Sequence, residues 1–434
     1  MNIPVVTVGQ SREDLVGGLE RLHGPVTVVR RCAELPELLA ACQSGLARAA
    51  VVADGCEGLT ASLVDRLGAV GVAIIALTDN AEEAARLRKI GVASALTGVA
   101  SAELSDRIAD AVAQLTGAVR PPSLSAAADT GAALATDPAE PEPEAEGHGA
   151  GRLIAVWGPA GSPGRTTVAV NIAGEMAADG LDVLLVDADT YGASVAAVLG
   201  LLDESAGLAQ ACRLADQGQL DVDALRKVAA TVSTASGQFR VLTGITRADR
   251  WTELRATALA LVLERARQMA DVVVVDTGFC LEADEEISFD TIAPRRNAAT
   301  LRPLELADTV YAIGAADPVG VPRMVRALAE LGGAVPQASP TVVMNKVRSS
   351  SVGRDPERQL REAWERYGPA WELKAFLPHD PGAADSALLS GALLLEAAPE
   401  SALRRSVRQL VCAPAQQKRK SSVFSSTPRR RAKD

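Results

Sequence analysis

Along residues 1–118, short β-branched runs alternate with longer stretches in which apolar residues recur every three or four positions. Val5 to Val8, Val26 to Val29, Ala49 to Ala53, Val72 to Leu77 and Ala93 to Leu96 have the length and composition of strands. Between and after them, Arg12 to Leu22, Leu35 to Ala41, Ala61 to Leu67, Glu82 to Lys89 and Ala102 to Leu115 carry helical spacing. Five strand–helix units of this size predict a flavodoxin-like, doubly wound parallel sheet.

A second region of the same kind begins at an apolar run, Leu153 to Trp157, and a helical pattern follows from Val168 to Ala178. Between them lies Gly158-Pro159-Ala160-Gly161-Ser162-Pro163-Gly164-Arg165-Thr166-Thr167. A strand, a glycine-rich turn and a helix start make a phosphate cradle. Glycines let successive N–H groups turn toward one anion, and the helix N-terminus adds its partial positive charge there. Against the pattern G-x-x-x-x-G-K-[ST], Pro159 occupies the first glycine position and Arg165 stands in place of lysine. Thr166 keeps the hydroxyl suited to Mg²⁺. A bare tight turn gives much the same pattern, so further signals are needed.

Two come from strands that end in carboxylates. Val183-Leu184-Leu185-Val186 runs into Asp187-Ala188-Asp189, and Val272-Val273-Val274-Val275 runs into Asp276-Thr277-Gly278. Buried parallel strands deliver such residues to the carboxyl edge of a sheet, where open α/β folds bind ligands.

In order and residues these three segments resemble the MinD/ParA family of P-loop ATPases, over about residues 151–412. The resemblance implies a P-loop NTPase fold with a doubly wound, mostly parallel sheet, and ATP with Mg²⁺ as cofactors. By that match Gly161, Ser162, Pro163, Gly164, Arg165, Thr166 and Thr167 cradle the phosphates. Thr166, Asp187 and Asp276 serve the metal, Asp189 orients the attacking water, and Arg165 contributes to catalysis. Thr341-Val342-Val343-Met344-Asn345-Lys346 resembles the strand whose terminal Asn reads adenine, and Leu377-Pro378-His379-Asp380 resembles the loop against the base. This adds Asn345 and Pro378 to the nucleotide site.

The departures bear on chemistry. The family's loop has a lysine that reaches across a dimer to the partner's nucleotide, and here that position is Ala160. Arg165 keeps a positive charge but presents a wide, planar group instead of a point charge. Phosphoryl transfer depends on positioning and charge, so turnover is expected to suffer more than binding. Arg247, Arg250, Arg295 and Arg296 are candidate substitute charges or plain surface arginines.

Composition then narrows the class. The chain has 434 residues, 48% of them hydrophobic, enough for two or three domains with cores built of Ala, Val and Leu. Six scattered cysteines without a C-x-x-C and only three histidines exclude a disulfide framework and a zinc ribbon, and predict a reduced, cytoplasmic protein. No basic leader or long apolar segment is present in the sequence. Residues 119–150, rich in Pro, Ala and Glu, read as a self-repelling linker, and residues 413–434 as a disordered basic tail. The tail is a candidate for weak contact with anionic membrane or DNA, and thus for a peripheral position at the inner face of the plasma membrane. Just upstream, Leu403, Val407, Leu410 and Val411 share a helical face, predicting a terminal helix docked on its own domain or, less favourably, lying on a membrane.

The first region resembles a response-regulator receiver domain, with Asp54 at the end of the third strand and Thr78 at the end of the fourth. That family holds Mg²⁺ with an acidic pair after the first strand and uses a lysine after the fifth. Here those places read Gly9-Gln10-Ser11 and Leu96-Thr97-Gly98, predicting a pseudo-receiver that binds protein partners and is not phosphorylated. A receiver-like domain (1–118), a linker and a MinD/ParA-like domain (151–412) together resemble CpaE/TadZ proteins, which place pilus and secretion machinery. The implied protein is a weak ATPase whose nucleotide state controls homodimerisation or partner docking. A nucleotide-binding scaffold without turnover and a ParA-like DNA-segregation factor are the alternatives.

Overall fold

The computed structural model describes residues 2–9, 15–22, 24–53, 55–117, 150–201, 205–283 and 294–411. Gln10, Ser11, Asp54, the expected linker up to residue 149, Asp284-Glu285-Glu286 and the basic tail lie outside the described residues.

The first sheet contains β1 (Ile3–Val8), β2 (Val26–Cys32), β3 (Ala49–Val52), β4 (Ala73–Leu77) and β5 (Ala93–Ala95), all parallel, in the order β2-β1-β3-β4-β5. That order is the flavodoxin-like arrangement of a doubly wound sheet. β3 and β4 are buried on both faces, as unbroken apolar runs require in a sheet covered by helices on each side. Helices Leu35–Gln43, Ala61–Ala69, Ala81–Lys89 and Ser101–Gly117 match the expected ones to within two residues at each end.

The second sheet has eight strands: β6 (Arg152–Trp157), β7 (Val183–Ala188), β8 (Ala230–Thr234), β9 (Gly237–Leu242), β10 (Val272–Thr277), β11 (Thr309–Ala315), β12 (Pro340–Val347) and β13 (Leu373–Pro378). Their order is β13-β12-β11-β6-β10-β7-β9-β8, parallel except for the β8–β9 hairpin at one edge. β6, β10 and β7 sit side by side in the middle, so the glycine loop and both Asp-bearing strand ends emerge together at one carboxyl edge. Apolar cores fill both faces, one under helix Arg165–Ala178 and others under helices Ala256–Met269 and Gly320–Ala334.

The terminal helix Ala402–Val411 docks on its own domain. Leu403 and Val407 are buried in the core under helix Arg165–Ala178. Two of the arginines on its flank turn inward: Arg404 grips both oxygens of Glu175, and Arg408 donates to Glu175 at 3.2 Å and to Asp179 at 2.9 Å. Glu175 is only 1% exposed, so these guanidiniums compensate a carboxylate that burial would otherwise penalise.

The two sheets' helical layers touch. The Ser62 N–H, in the first turn of helix Ala61–Ala69, donates to Asp216 Oδ1 at 2.8 Å, and Thr257 donates to Asp65 at 2.9 Å. Arg86 reaches the carbonyls of Cys56 (2.7 Å) and Leu59 (3.0 Å) in its own layer, and that of Gln217 (3.0 Å) in the other. Among the described residues no helix is long and apolar enough to cross a membrane.

Candidate functional site

The loop after β6 takes a shape that its sequence permits at only a few positions. Gly161 and Gly164 lie at φ +107° and +98°, and Ser162 joins them in the left-handed region at +53°. Gly164 has a second constraint, since a Cβ there would stand 2.4 Å from Asn345 Nδ2. Helix Arg165–Ala178 then starts directly behind Gly164, aiming its N-terminus at the loop.

Asp187 and Asp276 are register partners on adjacent parallel strands, which sets their backbones about 4.7–4.9 Å apart. Both are 1% exposed. Asp187 accepts from the backbone N–H groups of Asp189 (3.2 Å), Ser194 (2.9 Å) and Val195 (3.0 Å). Burial nevertheless pushes its carboxyl up to about 6, with those N–H groups pulling downward and Asp189 adding repulsion. Asp276 is also raised, first by burial and then by Asp187, while the nearby Thr166 hydroxyl opposes the shift. Neither Asp276 oxygen has a hydrogen-bond partner of ordinary geometry. A buried, unpartnered carboxylate beside a second carboxylate and a hydroxyl fits a divalent cation. Among the described residues no three His, Cys, Asp or Glu cluster as a metal cage, and Mg²⁺ needs none, because it keeps waters and takes phosphate oxygens.

Asp189 is held differently. Its Oδ1 accepts from Tyr191 N (2.8 Å) and Gly192 N (3.1 Å), and its Oδ2 pairs with Arg165 Nη2 at 3.3 Å. The other end of the same guanidinium donates to the carbonyls of Gly158 (2.8 Å) and Pro159 (3.2 Å). Arg165 is thus folded back on its own loop.

A hollow of about 690 Å³ opens above the loop, lined by residues 160–168 together with Asp189, Ser194, Asn345, Lys346, Pro378 and His379. Every expected nucleotide residue contributes to its wall, and Asp187 and Asp276 lie beneath it. Asn345 is buried under the loop, donating to Pro163 O at 2.7 Å and accepting from Lys346 N at 2.8 Å. In this geometry its amide fastens the loop.

Of the suggested substitute arginines, Arg296 comes near the hollow, behind Tyr191 in its wall, and the other three stand elsewhere. Arg250 pairs with Glu253 and Arg247 with Asp249. Arg295 lines a cleft between the two layers, and Arg296 lies over the Tyr191 ring at 3.8 Å while donating to Thr190 O at 2.7 Å. Among the described residues, two further cations besides Arg165 reach the loop, and neither was expected there. Arg323 donates to Ala160 O at 3.0 Å, and Lys346 donates to Ser162 O at 2.8 Å. Lys346 follows Asn345 directly and was in view; nothing local marks Arg323, 163 residues from its partner.

No curated protein sequence matches the chain significantly. Among solved structures it is similar to the cell division ATPase MinD of Pyrococcus furiosus, at 20% identity over 60% of this chain and 97% of that one, TM-score 0.45. It is also similar to a ParA family ATPase from Chlorobium tepidum TLS, at 17% identity over 61% and 98%, TM-score 0.48. A third is cobyrinic acid a,c-diamide synthase from Mycobacterium smegmatis, with bound ADP and magnesium, at 18% identity over 60% and 92%, TM-score 0.42. The sequence model of the CobQ/CobB/MinD/ParA nucleotide binding domain matches residues 154–388, more than half of the chain. That span runs from the loop strand β6 through Asp187, Asp276, Asn345 and Pro378, and the chain accordingly belongs to the CobQ/CobB/MinD/ParA nucleotide-binding domain family.

Proposed function

We propose that this protein binds ATP with Mg²⁺ at the glycine loop, turns it over slowly, and uses the nucleotide state to control association with itself and with protein partners. The observation that carries the reading is Asp276, a buried carboxylate at the register position of Asp187 with no hydrogen-bond partner of ordinary geometry and the Thr166 hydroxyl beside it. The cation would be held by Thr166 and, through its waters, by Asp187 and Asp276, and when bound it neutralises phosphate charge. The loop N–H groups and the helix N-terminus bind the phosphates, Pro378 bounds the base side of the hollow, and Asp189 orients water. Slow turnover follows from Arg165, whose guanidinium is engaged by Asp189 and two loop carbonyls, and from the absence of a lysine at Ala160.

The arrangement of two α/β sheets supports a CpaE/TadZ-like positioning role, in which a pseudo-receiver domain docks partners for an ATPase domain. The basic tail would add weak attraction to an anionic surface. Calorimetric titration of the whole chain with ATP, ADP and GTP, with and without Mg²⁺, tests the reading when paired with a phosphate-release assay. Mg²⁺-dependent ATP binding with slow release is expected. Binding without any release makes the protein a nucleotide-controlled scaffold, and no nucleotide binding overturns the reading.

A further inference from the structure

Two cations meet the phosphate loop on the carbonyls that flank Gly161, Lys346 from the wall of the hollow and Arg323 from beside it. Arg323 Nη1 donates to Ala160 O at 3.0 Å and Lys346 Nζ donates to Ser162 O at 2.8 Å. Gly161 makes the first contact possible, because a Cβ there would stand 2.2 Å from Arg323 Nη1.

The backbone that carries each side chain is fixed by local contacts. Arg323 projects from the first turn of helix Gly320–Ala334, which Asp317 fixes by accepting from Val319 N at 3.0 Å and Gly320 N at 2.7 Å. Lys346 lies in the register irregularity of β12 between Met344 and Val347, in a left-handed conformation at φ +59°, and its N–H donates to Asn345, which itself bonds to Pro163 O. Such a backbone is uncommon outside glycine and persists where the surroundings impose it.

A loop that turns its N–H groups toward an anion turns carbonyls away from it. A cation on an outward carbonyl fixes that orientation and adds positive potential at the cradle. Arg165, the loop's own cation, is bound to Gly158 O, Pro159 O and Asp189.

We propose that Arg323 and Lys346 are positioning residues for a polyphosphate, holding the Ala160 and Ser162 carbonyls outward and supplying the positive charge that Ala160 lacks. The inference rests on the nucleotide reading above. It makes phosphate affinity depend on the helix that follows β11 and on the end of β12.

The test is calorimetric titration of the full chain with Mg²⁺-ATP, AMP and adenosine, for the unaltered protein, Arg323→Ala, Lys346→Ala and the double variant. Each single variant is expected to weaken ATP about tenfold, as loss of one charge near a polyphosphate implies, and the double variant more. Adenosine affinity should stay unchanged, the ATP deficit should shrink as KCl rises, and Arg323→Lys and Lys346→Arg should recover most of the loss. Equal weakening of ATP and adenosine means a merely structural role and overturns the inference, as does ATP affinity within twofold of the unaltered protein in the double variant. Failure of the unaltered protein to bind ATP would instead overturn the nucleotide reading and this inference with it.

Discussion

Arg165 and Asp189 face each other across the mouth of the phosphate loop as an ion pair at 3.3 Å, with side chains only 13% and 9% exposed. The cation that a phosphate would recruit is therefore held by the carboxylate expected to orient water. A polyphosphate entering the loop competes with Asp189 for the same guanidinium.

Asp189→Asn should consequently tighten Mg²⁺-ATP binding by several-fold while reducing turnover, because the competitor and its repulsion of phosphate are removed along with the water-orienting group. Arg165→Ala should weaken ATP by roughly 1.5–3 kcal/mol, the worth of a charge-assisted hydrogen bond. Paired titration and phosphate-release measurements check both. An Arg165→Ala protein with unaltered ATP affinity would take Arg165 out of the site.

The two buried carboxylates set a pH dependence whose sign is fixed by their raised values. A carboxyl raised in the fold favours the folded state when protonated, so its contribution is full below the usual carboxylate range and is lost as pH rises through the folded value. For Asp187 that loss runs from about pH 4 through about 6, and Asp276, also raised, contributes with the same sign. Without a divalent cation the protein should lose stability over this interval, and the stabilisation by Mg²⁺-nucleotide should grow across it. Asp276→Asn should flatten the profile and raise the cation-free melting temperature, at about 2–4 °C for each kcal/mol regained. Thermal unfolding at a series of pH values reads both effects.

Glu175 depends on two partners, so removing both should be far worse than removing one. Arg404→Ala/Arg408→Ala leaves a carboxylate of 1% exposure unpaired and should cost roughly 3–5 kcal/mol, whereas Arg405→Ala, whose contacts are on the surface, should be nearly neutral. Denaturant unfolding of the three proteins measures the difference.

Asp54 should not accept a phosphoryl group, because Gly9-Gln10-Ser11 stand directly after β1, where an acidic pair would hold Mg²⁺. Incubation with acetyl phosphate and Mg²⁺ should leave the intact mass unchanged. A stoichiometric gain that disappears in Asp54→Ala would restore a working receiver.

Much of this architecture can be read from local pattern. β-branched runs such as Val272 to Val275 mark buried central strands, and the carboxylate after each marks the sheet edge. The β8–β9 hairpin was missed because Ala230–Thr234 has only partly buried and exposed positions, as an edge strand does. Arg323 was missed for a different reason: its role depends on a contact 163 residues away, and sequence spacing carries no trace of such distances. Asn345 lies where the nucleotide strand was expected to end, and the structure adds its bond to Pro163, which no pattern in a single chain encodes. The terminal helix was legible as amphipathic, whereas the inward turn of Arg404 and Arg408 required knowing that Glu175 is buried.

The contacts between the two layers have a competitive consequence. On the first sheet's side they involve Ser62 and Asp65 of helix Ala61–Ala69 and the Arg86 side chain, met by Asp216, Thr257 and Gln217. A second protein wanting that same surface must displace a neighbour joined to it in the same chain, and covalent joining makes that competitor's binding intramolecular. Weak ligands for this face are thereby excluded, and only a partner that outbids its own chain gains access.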